Sequence, residues 1–118
     1  MAVSTDPITR AEDWLNDTGI FRGSWQGGAR GAGISVIASR IDGPGGGPRL
    51  HRHPYPETFV IRTGVALFTV GDRRIEAKAG EIVVAPADTP HKFENLGPGP
   101  LESLNIHENG KFVTEWLE

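Results

Sequence analysis

Apolar and polar residues alternate in short runs along most of this chain, and turn residues break the alternation every few positions. The alternation has period two, which is the signature of half-buried strands. In 34–41, Ile34, Val36 and Ala38 share one face, and Ser35, Ile37, Ser39 and Ile41 share the other. Residues 57–63 are rich in β-branched and aromatic side chains and read as a strand, and 65–70 continues after Gly64. Gly71-Asp72 is a hairpin signal, and the more polar 73–78 reads as an outer or edge strand. Residues 81–85 read as a buried strand, and 91–95 and 101–107 as two more. Weaker signals flank these. Thr9 and Glu12 have capping-box spacing, which predicts a short helix over about 10–15, ended by Asn16-Asp17-Thr18-Gly19. Residues 20–25 read as a short strand, 26–33 as irregular, and 50–53 as a short extended piece stopped by Pro54 and Pro56. Residues 111–117 carry both periods, and a strand is expected there because its neighbours are strands. The sum is an all-β sandwich or barrel of eight to ten short strands.

Composition sharpens this. At 118 residues the chain is expected to form a single domain over 1–118, with 1–7 as a loose tail. Sixteen glycines and nine prolines punctuate the apolar runs, as many tight turns require. There is no cysteine, so neither disulfides nor thiolate ligands are available. Twelve Lys and Arg stand against 15 Asp and Glu with no basic stripe, which argues against a nucleic-acid partner. No apolar run approaches the length of a membrane helix, and 1–10 lacks a signal-peptide pattern. The expectation is no membrane partner and a cytoplasmic location.

The candidate chemistry lies in 50–57. His51 and His53 are two apart on an extended segment, so both can point inward, about 6.6 Å apart along the backbone, while Arg52 faces out. Glu57 follows the bend made by Pro54 and Pro56 and can return its carboxylate to the same point. By parity Phe59 and Ile61 share the inward face of Glu57, and Phe93 and Asn95 share that of His91, which opens a later strand. Three imidazoles and a carboxylate suit one divalent transition metal, whether Fe, Mn, Ni, Zn, Co or Cu. The expected ligands are His51, His53, Glu57 and His91. On a six-coordinate ion they would leave two adjacent positions for a small molecule. Phe59, Ile61, Phe93 and Trp25 are expected to line the pocket, and Arg49 and Tyr55 to flank the ligands within reach of a substrate. His107 shares parity with Ser103 and Asn105 and can face the site or solvent; it is taken as an ordinary packed or surface residue.

These residues also carry a family resemblance. Gly45, five residues, His51-x-His53, three residues, Glu57, six residues and Gly64 resembles the first cupin motif at every fixed position. Gly80, five residues, Pro86-x-Asp88, two residues, His91, three residues and Asn95 resembles the second, with Asp88 where the family usually has glycine. Asp tolerates left-handed backbone angles, so the turn is expected to survive. The two motifs stand fifteen residues apart, and 106–117 also resembles the tail of small cupins. The resemblance implies a jelly-roll barrel, the same four ligands, and a homodimer. It implies a metal-dependent enzyme on a small organic molecule, with dioxygenase-type or Lewis-acid isomerase or lyase chemistry. The alternative is a non-catalytic module that binds a sugar or organic acid. Asn95 is implied to be structural. Phe112, Trp116 and Leu117 are expected to cover an edge or join a dimer.

Overall fold

The computed structural model describes residues 6–17 and 19–118. The expected tail therefore lies mostly outside the described residues, as does Thr18. The first element is α1 (Ala11–Trp14), shorter than the capping-box reading and capped differently. The Asp13 carboxylate accepts the Arg10 backbone N–H at 3.4 Å, while the Thr9 hydroxyl accepts the Trp25 Nε1–H at 3.1 Å. The helix stops at Trp14 because Leu15 enters β1 (Leu15–Asp17) and pairs with Gly23 of β2 (Ile20–Gln26). Sheet pairing overrides the local helical preference there. A 3-10 turn over Gly27–Arg30 occupies the glycine-rich stretch.

The remaining strands are β3 (Ser35–Ile41), β4 (His51–Arg52), β5 (Glu57–Thr63), β6 (Val65–Val70), β7 (Arg73–Lys78), β8 (Ile82–Ala85), β9 (His91–Asn95), β10 (Leu101–His107) and β11 (Glu115–Trp116). They form two antiparallel sheets, ordered β1-β2-β3-β10-β5-β8 and β11-β4-β9-β6-β7. This is the all-β, jelly-roll architecture that the alternation and the motifs predict. The C-terminal segment does contain a strand, though only two residues of it pair, with β4.

Period two decides what fills the sandwich. Phe59 and Ile61 of β5, Ala66 and Phe68 of β6, Ala77 of β7, Val83 of β8 and Phe93 of β9 point inward and bury together with Leu101. Phe59, Phe68 and Phe93 form a triangle of rings with centroids 4.9 to 5.6 Å apart. β7 is an edge strand, as its polarity suggests. β8 is an edge strand too, and the expectation of a buried strand there is corrected: Val83 and Ala85 are buried, but Ile82 and Val84 are 62% and 51% exposed. An apolar run reads as buried on both faces, but an edge position leaves one face open.

Three devices hold loops of the sandwich in place. Gly64 turns β5 into β6 with φ +90°, and a Cβ there would collide with the Pro100 carbonyl oxygen. Asn95 is structural, as the resemblance implies. Its Nδ2 lies 2.9 to 3.1 Å from the carbonyl oxygens of Ile41, Gly43 and Gly99, and its Oδ1 accepts the Gly97 N–H. Asp88 adopts φ 60°, so the turn survives without the usual glycine, and its N–H donates to the His53 carbonyl at 2.7 Å. A β-branched residue tolerates that conformation poorly. Asp88→Val is expected to cost about 1–2 kcal/mol, measured by urea denaturation, whereas Asp88→Gly should lie near wild type.

Candidate metal centre

Each expected ligand sits where an element begins or ends, in the ladder for His51, Glu57 and His91 and just beyond it for His53. His51 opens β4 and pairs with His91, the first residue of β9, and with Trp116 of β11. His53 follows β4 directly, and Glu57 opens β5 in the opposite sheet. All four are buried, with exposures of 6%, 3%, 3% and 2% for His51, His53, Glu57 and His91. One ligand atom from each falls within 4.8 Å of all the others, so the four can hold a metal ion.

The hydrogen bonds fix which nitrogen of each ring faces inward. The Nδ1 atoms of His51, His53 and His91 lie 2.7, 2.8 and 2.9 Å from the carbonyl oxygens of Arg49, Val113 and Thr89. A carbonyl only accepts, so each Nδ1 carries a proton and donates. With the proton on Nδ1, an unprotonated Nε2 has its lone pair toward the centre, the usual arrangement for metal-binding imidazoles. His53 Nε2 and His91 Nε2 lie 3.0 and 3.1 Å from Glu57 Oε1. Lone pairs and a carboxylate oxygen converging at that distance require positive charge among them. A divalent cation meets that requirement, and the donor set therefore fits one.

Electrostatics agrees. Burial pushes the His51 imidazole below its ordinary pKa, with the Arg49 carbonyl opposing, which favours the neutral form that ligation needs. Burial alone would raise Glu57, but hydrogen bonding to the imidazoles of His107, His53 and His91, with a proton in the place a cation would take, outweighs it and holds the carboxyl well below the usual carboxylate range. Glu57 is thus an anion.

The site opens on a cavity of about 320 Å³. His51, His53 and Glu57 line it, with Phe59 and Phe93 among its apolar walls and Asn105 and His107 as further polar groups. Pro48, in the glycine-rich segment 42–48 that leads into His51, also lines it. Phe112 and Trp116 also line it, Phe112 edge-on to His107 at 4.9 Å and Trp116 5.0 Å from His51. These C-terminal aromatics therefore cover the metal site. A larger hollow, about 520 Å³, lies between Arg49, Arg74 and Lys92 and contains none of the four ligands.

Three pocket expectations are corrected. Trp25 pairs with Val36 on the outward face of β3 and lines a separate surface hollow with Thr9 and Trp14. Ile61 lies two residues further along β5 than Phe59, inside the apolar core and away from the cavity wall. Tyr55 is buried behind the ligands, its ring stacked on His53 at 5.1 Å, and it does not line the cavity. The bland reading of His107 is corrected as well. It is 3% exposed, and its Nε2 lies 3.0 Å from Glu57 Oε2. The cross-strand register pairs His107 with Glu57, a relation visible only once β10 is known to lie beside β5. Arg52 points away from the ligands as expected, toward Glu115, and Arg62 reaches Glu102.

Comparison with known proteins is consistent with this geometry. The family profile described as the cupin domain matches residues 41–107, more than half of the chain. A protein of Methanocaldococcus jannaschii is 36% identical over 69 residues, which are 58% of this chain and 55% of that relative, so the chain spans little more than half of its length. A double-stranded β-helix domain protein from Klebsiella pneumoniae superposes with a TM-score of 0.70 at 20% identity, covering 95% of this chain and 97% of its own. Oxalate decarboxylase from Lactobacillus farciminis, in its formate complex, superposes with a TM-score of 0.75 at 24% identity, covering 92% of this chain but 35% of its own. At those identities the likeness shows the fold alone. Among the described residues, no helix is long and apolar enough to cross a membrane.

Proposed function

The chain belongs to the cupin family, and from that premise we propose that it is a metal-dependent enzyme acting on a small organic molecule that chelates the ion through oxygen. The observation that carries this is the buried His51, His53, Glu57 and His91 set, of which His51, His53 and Glu57 line a mostly apolar cavity. A divalent metal held by these residues supplies Lewis acidity toward an oxygen-donor substrate and, if redox-active, the means to react it with dioxygen.

The chain's own residues define the rest. Phe59, Phe93, Ile37 and Phe112 exclude water and accommodate an apolar body. The Asn105 Oδ1 accepts the Ser103 hydroxyl at 2.7 Å, which turns its amide N–H groups toward other acceptors, among them a substrate oxygen in the cavity. None of the described residues lining the cavity is Lys or Arg. Three neutral imidazoles, one carboxylate and a divalent ion sum to a single positive charge, which favours a monoanion over a dianion such as oxalate. Glu57 is committed to the ion and faces His107 through Oε2, so it is not free to serve as a general base. That arrangement favours dioxygenase-type or Lewis-acid chemistry without a strong protein base.

The test has two stages. Elemental analysis and calorimetry with Mn²⁺, Fe²⁺ and Zn²⁺ are expected to show one bound ion per chain. Chelating monoanions (2-oxo acids, 2-hydroxy acids, catechols) are then expected to bind the loaded protein and to lose that binding on removal of the metal with EDTA. Oxygen uptake or product formation with one of them identifies the reaction. Equal ligand binding with and without metal would instead establish the non-catalytic binding module.

A further inference from the structure

We infer that a hydrogen bond from Tyr55 locks His107 as the tautomer that carries its proton on Nε2, and that this N–H positions Glu57 through a close polar contact. The inference rests on the reading of Glu57 as a metal ligand. Tyr55 Oη lies 3.1 Å from the Val113 backbone nitrogen and 2.7 Å from His107 Nδ1. The Val113 N–H can only donate, so it takes a lone pair of the tyrosine oxygen. The hydroxyl proton then has His107 Nδ1 as its partner. Nδ1 must accept, and the neutral ring carries its proton on Nε2.

That Nε2 lies 3.0 Å from Glu57 Oε2. The contact is off-axis, and no other acceptor among the described residues reaches this buried nitrogen. A proton on Nδ1 instead of Nε2 would face the tyrosine hydroxyl and leave the hydroxyl proton without an acceptor among the described residues.

The consequence is a division of labour within one carboxylate. Oε1 faces His53 and His91, while Oε2 is the oxygen that His107 faces. Holding Oε2 outward makes Glu57 a one-oxygen ligand and keeps a coordination position open for a substrate. His107 is thus a positioning residue, and its tautomer is opposite to that of the three ligating histidines, each of which donates from Nδ1.

Long-range ¹H–¹⁵N correlation spectra of the Zn²⁺-loaded protein read all four histidines of the chain. His107 alone is expected to show a protonated Nε2 and a bare Nδ1. Tyr55→Phe is expected to mix the His107 tautomers and weaken Zn²⁺ binding about 10-fold, and His107→Leu to weaken it about 10- to 100-fold, as loss of an outer-shell partner does. His107→Gln retains an N–H donor and should recover part of that loss. A wild-type His107 protonated on Nδ1, or Leu and Gln variants that bind Zn²⁺ as tightly as wild type, would overturn the inference. Should Zn²⁺ leave the signals of His51, His53 and His91 unmoved, the metal reading fails, while the His107 tautomer in the same spectra still decides the lock by Tyr55.

Discussion

His91→Ala is expected to lower divalent-metal affinity by more than about 100-fold, beyond the loss typical of an outer-shell change. His91 contributes one of four buried donors, and its ring lies against Glu57 Oε1 at 3.1 Å. Without it the remaining imidazoles of the set, His51 and His53, come from one short segment, and the ion loses a ligand that β9 holds at a fixed position. Thermal denaturation with and without metal provides the readout. A metal present at 100 times its dissociation constant stabilises the wild type by about 2.7 kcal/mol. In the variant that increment should vanish, while its unfolding without metal remains cooperative. A variant whose melting temperature still rises with metal as the wild type's does would remove His91 from the ligand set.

Phe68→Ala is expected to cost about 3–5 kcal/mol. Phe68 is among the largest side chains with under 2% exposure, and it packs between Phe59 and Phe93 at ring distances of 4.9 and 5.3 Å. Truncation opens a cavity at the centre of the triangle, lined by rings that the two sheets hold in place. Domains of this size are stable by roughly 5–15 kcal/mol, so the loss is a large share of the total. The melting temperature should fall by roughly 10–25 °C. Phe68 does not line the cavity beside the ligands, so metal affinity of the folded fraction should stay near wild type. A fall below a few degrees would show that the sandwich collapses around the gap.

The strands and the ligand set were legible because both are written locally. Alternation orients 57–63 and 91–95 without knowledge of any neighbour, and His51, His53 and Glu57 lie within one short stretch. What escaped depends on which strands adjoin. The parity of Ser103, Asn105 and His107 was readable, but their inward direction comes from β10 lying between β3 and β5. Trp25 illustrates the same gap: an aromatic residue in a short strand suits either face, and only the pairing with Val36 places it outside. Ile82 and Val84 resemble a buried strand in composition, yet an edge position leaves them exposed. Tyr55 lies between two prolines with no periodicity to orient it, so its hydrogen bond to His107 could not be anticipated.

The ligands are divided between the sheets: His51 and His91 belong to the five-stranded one, Glu57 to the six-stranded one, and His53 to the link between them. An ion held by all four is therefore a cross-link between the halves of the sandwich, in a chain with no cysteine to provide one. Like a disulfide, such a clasp restricts the unfolded chain as well as the folded one only if it survives unfolding, and coordination bonds do not. Its stabilisation is thus reversible, set by free metal and removed by a chelator. Loading should slow amide exchange in β5 and β9 together, although they lie in different sheets.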